Sequence, residues 1–315
     1  MKAMQFNAYG GPETLRLTDL PEPLAAAGQL LVRVHATAIN PIDWKLHAGM
    51  LRWVKPLRFP STPCFDFAGT VKQTGSNVSG FLEGDAVFGM LPLGGLGAAS
   101  ECLIVAARYA CHVPSGVNLE AMAGLPLAGM TALQALRDQG KLRPGQSILI
   151  VGAAGGVGHH AVQIGRILGG RITAVCGPGN LDFCRELGAE EALDYSEPRM
   201  KPPASAFDLI LDCAGFDGFG RWQASLKQGG RYVTLLPSLA LALHALPARL
   251  FKGQRLSVTF VRPNAEDLHW LAVQVQAKRL RTVVDQVFPL TELPAAMQKN
   301  RAGHVRGKII VSLPT

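Results

Sequence analysis

Charge, aromatic side chains and tyrosine are scarce in this 315-residue chain: 17% of residues are charged, 7% are aromatic, and only four are tyrosines. With 48% of residues apolar, that low charge excludes a disordered chain and describes a folded globular one. Cations outnumber anions by 31 to 23, a net +8, but the basic clusters at 141–143, 278–281 and 299–308 are short and carry no interleaved aromatics. This argues against nucleic acid as a partner and fits a basic rim around a site for an anionic cofactor. The six cysteines (64, 102, 111, 176, 184 and 213) form no CxxC and no tight framework, so free thiols in a reducing compartment are expected. No apolar run resembles a signal peptide. The most apolar stretch, 232–250, is interrupted by Pro237, His244 and Pro247 and is too broken to span a bilayer. A cytoplasmic protein with no membrane partner is the expectation.

No internal repeat or low-complexity tract is present. The first ~115 residues read as short strands separated by glycine turns (30–39, 66–75, 84–90 and 99–105), the pattern of a small barrel or sandwich. Residues 118–142 read as two helices joined by a turn at Pro126–Gly129. Six continuous apolar runs then alternate with helical stretches, at 147–153, 171–177, 190–195, 207–215, 230–236 and 255–260. Continuous runs suit parallel strands buried on both faces, so an α/β doubly wound sheet is expected. The tail, with strands at 283–290 and 307–313, is expected to rejoin the first domain. The boundaries read as 1–118 with 263–315, and 119–262, with a cleft between the two domains.

The stretch SILIVGAAGGVGHHAVQIGRILGG (147–170) sets Gly152, Gly155 and Gly158 three residues apart, with Ala153, Gly156 and Val157 among them. A buried-strand run precedes the glycines. Val157, Ala161, Ile164 and Leu168 then share one helical face. Glycine is needed where backbone approaches a pyrophosphate and where a helix must start close to its strand, with its amides toward the anion. A packing turn with no ligand is the competing reading, and the surrounding α/β pattern disfavours it.

NAD-binding folds place an acid at the end of the second strand, about 20 residues on, to hold the ribose 2′-hydroxyl. Here the stretch is AVCGPGNLD, with no acid before Asp182. Without that carboxylate a 2′-phosphate is not repelled, so NADP(H) is favoured, with Asn180, Cys176, Gly177 and Tyr195 placed to contact it.

These motifs, with HATAINPIDWKLHAG (35–49), FDFAGTV (65–71), GDAVFG (84–89), LPLAGMTALQAL (125–136), LGAEEALDY (187–195) and GHVRGKIIV (303–311), resemble the zinc-independent medium-chain dehydrogenases/reductases of the quinone oxidoreductase (zeta-crystallin-like) type over essentially the whole chain. The resemblance implies a GroES-like β-rich catalytic domain plus a Rossmann NADP-binding domain, and a homodimer through the sheet edge of the latter. It implies NADPH-dependent hydride transfer to a quinone or other electron-poor α,β-unsaturated carbonyl. A non-catalytic NADPH-binding protein (crystallin-like or RNA-associated) and an enoyl-thioester reductase remain alternatives. Where zinc-dependent relatives carry a Cys and a His-Glu pair, this chain has Asn40 and Phe65–Asp66. The four-cysteine zinc lobe is missing from 85–105, and His47 and Cys64 nearby do not make a site, so no metal is expected.

The resemblance places Asn40 near the nicotinamide and the acceptor carbonyl, where its amide could donate; a turn-forming Asn before Pro41 is the alternative. Asp43 is expected to cap or brace this loop. Thr131 resembles a family Thr near the nicotinamide, or is a helix hydroxyl bonded to backbone. Cys213–Gly215 and Leu235–Leu236 should pass under the dinucleotide and act by backbone and shape. Many relatives carry a Tyr where Leu51 stands here, and no Tyr lies in 10–108, which weakens the enoyl reading more than the quinone one. Trp44, Trp53 and Phe65 are candidate pocket walls or core residues.

Overall fold

The computed structural model describes residues 1–92, 97–198, 200–215 and 218–314; part of the segment read as lacking a zinc lobe, 93–96, lies outside them. The chain forms two compact units, Met1–Met130 with Arg262–Thr315, and Thr131–Val261.

The first unit contains β1 (Lys2–Gln5), β2 (Arg16–Asp19), β3 (Gln29–Ile39), α1 (Pro41–His47), β4 (Asp66–Thr74), β5 (Ala86–Met90), β6 (Cys102–Ala106), β7 (Ala110–His112) and α2 (Leu119–Ala123). Helix α3 (Pro126–Gln134) follows. β3 organises the unit because its LLVRVHATAI run is buried almost throughout and pairs with three neighbours. It stops where Pro41, lacking an N–H, opens α1 at a position a helix does not need one.

The second unit is built from β8 (Ser147–Val151), α4 (Gly158–Ile167), β9 (Arg171–Cys176), α5 (Leu181–Glu186), β10 (Glu191–Asp194), β11 (Phe207–Asp212), α6 (Gly218–Trp222), β12 (Leu226–Thr234), α7 (Leu239–Lys252) and β13 (Arg255–Val258). Its six strands are parallel in the order β10-β9-β8-β11-β12-β13. Each expected apolar run from 147 to 260 supplies one of them. The core gathers Leu149, Val151, Val175, Ile210, Trp222 and Tyr232.

The chain then returns to the first unit through α8 (Ala265–Gln276), β14 (Val284–Pro289), α9 (Leu293–Ala302) and β15 (Lys308–Ser312). β15 lies antiparallel to β3 with Ile309 opposite Ile39, and β4 lies on the other side with Asp66 opposite Ala38. That register sets Lys308, Asn40 and Asp66 at one corner of the sheet.

Two details differ from the sequence reading, and two elements lie outside it. The first unit continues past 118 to Met130, because α2 packs on β3, β4 and β15. Pro126–Gly129 is not a turn: Pro126 opens α3, and Gly129 lies within it, where its missing side chain lets Leu125 and Leu271 come close. The N-terminal hairpin β1–β2 joins strands too short to stand out by alternation. The 232–250 run is the end of β12 followed by α7, which is capped by Ser238 and closed by Gly253 at φ 62°, with Pro247 tolerated inside.

Candidate functional site

The glycine turn after β8 lies at the carboxyl edge of the parallel sheet, where the strand order reverses between β8 and β11. Such switch points leave an open crevice for ligands. The three glycines there have different jobs. Gly152 sits at φ 74°, and a Cβ on it would lie 3.2 Å from the Cβ of Ala214. On Gly158 a Cβ would overlap the Gly152 carbonyl oxygen and lie 2.7 Å from the Ala153 Cα, so glycine lets α4 start against the strand. On Gly155 a Cβ would meet only the Gly152 oxygen, at 3.4 Å, so this position faces open space. The turn is held by Gly155 N–H to the Gly152 carbonyl (3.1 Å) and by His159 Nδ1 at 2.9 Å from the Gly155 carbonyl oxygen. Gly156 and Val157 are half-buried between them. In the first turn of α4 the His159 amide donates to the Gly155 carbonyl (3.0 Å) and the Ala161 amide to that of Val157 (2.9 Å), so the open side at Gly155 leaves a cradle one side chain deep beside the positive end of the helix. It fits a pyrophosphate.

The remaining candidates of this unit collect along the same sheet edge. Cys176 ends β9, and its thiol is hydrogen-bonded to Cys184, which lowers its pKa against the opposing effect of burial. Gly177 and Asn180 follow in a short 3-10 turn, and the Tyr195 hydroxyl lies 3.4 Å from where a Cβ on Gly177 would stand. The nearest acid in sequence, Asp182, is turned to Arg185 at 2.7 Å. At the end of β11 a residue outside the sequence reading does the shaping. The buried Asp212 accepts from the Ala214 and Gly215 amides (3.0 and 2.7 Å) and from the Tyr232 hydroxyl (2.6 Å). Burial pushes the neighbouring Cys213 thiol up, so it stays protonated. Leu235 and Leu236 continue from β12, with Leu236 against Gly215. An acid closing a continuous apolar run, as in FDLILDCAG, was the available signal for Asp212.

The first unit holds a buried ionic cluster. Lys308 Nζ donates to Asn40 Oδ1 (2.6 Å) and to the Ile39 carbonyl (3.2 Å), and stands 3.7 Å from Asp66 Oδ2. Asp66 accepts from Asn40 Nδ2 (2.9 Å) and from the Leu127 amide (2.8 Å). Asp43 accepts from the Asn40 amide N–H (2.7 Å), while its Oδ1 is buried without a partner. Thr37 donates to the Asp66 carbonyl (2.6 Å). All these side chains are at most 2% exposed. Both ends of the Asn40 amide are used inside the cluster, which favours bracing over donation to an acceptor. Burial raises the Asp66 carboxyl and lowers the Lys308 ammonium, and each opposes the shift of the other. Asp43, less well paired, is pushed up by burial to about 8.

Asp43 therefore makes stability depend on pH. With the folded value near 8 and the unfolded one near 3.8, the folded state holds the extra proton between them. Its contribution is full below about pH 4 and declines as pH rises to about 8. Asp43→Asn should remove that slope and be more stable than wild type at pH 8 by on the order of 2 kcal/mol. Thermal unfolding of both proteins from pH 5 to 9 checks this; parallel curves would exclude it.

Thr131 lies buried in α3. Trp44 donates to Asn300 at 3.0 Å, and Phe65 is fully buried, whereas Trp53 is 86% exposed. The first two are therefore packed within the unit and Trp53 is not. Asp66 and Lys308 were missed as partners because 242 positions separate them in sequence.

Comparison with known proteins bears on both units. An alcohol dehydrogenase GroES-like domain model matches residues 26–130, and a zinc-binding dehydrogenase model matches 187–311. The chloroplast envelope quinone oxidoreductase homolog of Arabidopsis thaliana is 34% identical, over 99% of this chain and 98% of that protein. The chain belongs to the quinone oxidoreductase family of medium-chain dehydrogenases/reductases. The mouse NAD(P)H oxidoreductase RTN4IP1, mitochondrial, is 30% identical over 99% of this chain and 89% of its own length. The quinone oxidoreductase structure from Coxiella burnetii aligns with a TM-score of 0.88 at 31% identity, over 100% of this chain and 99% of that one. This family member is thus an oxidoreductase with a GroES-like unit and a Rossmann-type sheet, and its cofactor is a nicotinamide dinucleotide.

A zinc ion, which the second family model names, does not fit this quinone oxidoreductase-family chain. Among the described residues no three His, Cys, Asp or Glu side chains converge on one point. At the corner where the Cys and His-Glu positions fall, the Lys308 ammonium already sits beside Asn40 and Asp66.

Proposed function

We propose that this protein is an NADPH-dependent reductase that delivers hydride to a quinone or other electron-poor α,β-unsaturated carbonyl, without zinc. The observation that carries the reading is the glycine turn, closed by backbone at Gly158 and open at Gly155. NADPH, when bound, supplies the hydride. Gly152, Ala153, Gly155, Gly156, Val157 and Gly158 would hold the pyrophosphate. Cys176, Gly177, Asn180 and Tyr195 would take the adenosine ribose and its 2′-phosphate, with Asp182 drawn off by Arg185. Cys213, Gly215, Leu235 and Leu236 would underlie the dinucleotide by backbone and shape.

Thr131 would lie toward the nicotinamide, and Asn40 and Asp43 would brace α1 in the acceptor-binding unit. A quinone suits a site with Leu51 where relatives carry a tyrosine. The hydroquinone anion is a weak base and needs little help from an acid, whereas reducing an enoyl thioester requires a proton delivered to carbon. Six free cysteines fit a reducing compartment such as the cytoplasm, and among the described residues no helix is long and apolar enough to cross a membrane. A homodimer is supported by the edge strand β13 and by α7, whose exposed Leu239, Leu243, Leu246 and Leu250 recur at 4-3-4 spacing.

The test is a parallel titration with NADPH and NADH by nicotinamide fluorescence, followed by NADPH oxidation with a benzoquinone and with a crotonyl thioester. Tighter NADPH binding by about tenfold (~1.4 kcal/mol) and turnover with the quinone are expected. Equal binding would remove the 2′-phosphate assignment. Binding without turnover would leave a non-catalytic NADPH protein, and turnover on the thioester alone would select an enoyl reductase.

A further inference from the structure

Between α1 and β4, residues 49–60 form a tip that exposes Met50, Trp53 and Val54. Trp53 and Val54 are each 86% exposed and Met50 is 62% exposed. The backbone beneath them is firmly tied. Gly49 sits at φ 70°, with the Tyr9 ring 3.0 Å from where its Cβ would stand. The Tyr9 hydroxyl accepts from the Leu57 amide at 2.8 Å, and the Phe59 ring packs edge-on to Tyr9 and Phe6, with centroids 4.9 and 5.8 Å apart. Within the tip, the Val54 and Lys55 amides donate to the Leu51 carbonyl (3.0 and 2.7 Å), and the Arg52 amide donates to that of Gly49 (3.1 Å). The fold presents these side chains rather than leaving them loose.

Along the sequence of the tip and its flanks the charge has one sign. From Trp44 to Phe65 there is no Asp or Glu, while Lys45, Arg52, Lys55 and Arg58 are all cationic. The Arg52 guanidinium stands 5.1 Å from the centre of the Trp53 ring. An exposed tryptophan with aliphatic neighbours and a surround of cations has the chemistry of a bilayer–water interface, where the indole sits among headgroups and the cations meet anionic lipid. A second copy of this tip would not satisfy it, because a two-fold contact would bring the cations against each other.

We propose that this tip docks the protein reversibly on an anionic membrane surface. The expectation of no membrane partner rested on the lack of a spanning run, and a surface contact needs none. Docking does not depend on the quinone reading, although a lipophilic quinone would lie in the same phase.

The experiment is co-sedimentation of the full chain with vesicles of phosphatidylcholine alone and of about three parts phosphatidylcholine to one part phosphatidylglycerol, at low salt. Binding is expected to the anionic vesicles only. It should fall by about tenfold or more in Trp53→Ser/Val54→Ser and in Arg52→Glu/Lys55→Glu/Arg58→Glu. Trp53→Phe should keep sedimenting but lose the blue shift of fluorescence seen in wild type, which reads the tip directly should a multiple variant misfold. No binding by wild type, binding unchanged by both multiple variants, or no Trp53-dependent shift would each overturn the proposal. A tip variant that lowers turnover of a water-soluble quinone, with a wild type that ignores vesicles, would instead make Trp53 a substrate contact and overturn it too. Quinone turnover and vesicle binding are read separately, so either reading can fail alone.

Discussion

Lys308→Met is expected to destabilise the β-rich unit by about 3–5 kcal/mol, the cost of leaving a buried charge without its partner. Asp66 would keep its hydrogen bonds from Asn40 and the Leu127 amide but lose the ammonium that opposes its desolvation. Asn40 would lose the donor to its Oδ1, so the start of α1 should loosen as well. The double variant Lys308→Met/Asp66→Asn should recover most of the loss, because a neutral amide can keep company with Asn40 at much lower desolvation cost. Urea unfolding of wild type and of both variants decides it. If the double variant is no better than the single one, the loss comes from packing of β15 and not from charge.

The glycine turn offers the second large effect, split between two positions. Gly155→Val should unfold within about 0.5 kcal/mol of wild type, since its Cβ would meet only the Gly152 carbonyl oxygen, at 3.4 Å. Its NADPH affinity should fall by about a hundredfold, because the added atoms occupy the place assigned to the pyrophosphate. Gly158→Ala should do the reverse in order of cause. Its Cβ would collide with the Gly152 carbonyl and the Ala153 backbone, costing about 2–3 kcal/mol of stability. Calorimetry of unfolding together with fluorescence titration separates the two. Unchanged NADPH binding in folded Gly155→Val would return the turn to a packing role.

The two units were unequally legible in the sequence. The parallel sheet shows itself because each strand is buried on both faces and so reads as an unbroken apolar run. Even Asp212, the buried carboxylate that shapes the 213–215 turn, is signalled by ending such a run. The ionic corner is different. Asn40 and Asp43 stand out from their place before and after Pro41, but their partners come from β4 and from β15, and only the antiparallel register brings them together. Pro126 misleads for a local reason, since proline begins helices as readily as it ends them. Trp53 misleads for another: large aromatic residues are buried on average, and nothing in GMLRWVKPLRF except its run of cations says that this one faces solvent.

Synthesis of the chain gives the corner an order in time. Asp43 and Asp66 leave the ribosome long before Lys308, which follows Asn40 by 268 residues. At roughly 5–20 residues per second, the interval is on the order of 10–50 s. During it, the Thr131–Val261 unit, continuous in sequence, can finish folding, while Asp66 in the first unit has no ammonium to be buried beside. A chain cut short or frameshifted before residue 308 lacks both the strand that completes the sheet beside β3 and the charge beside which Asp66 is buried. Completion of the sheet beside β3 thus waits on translation through to that lysine.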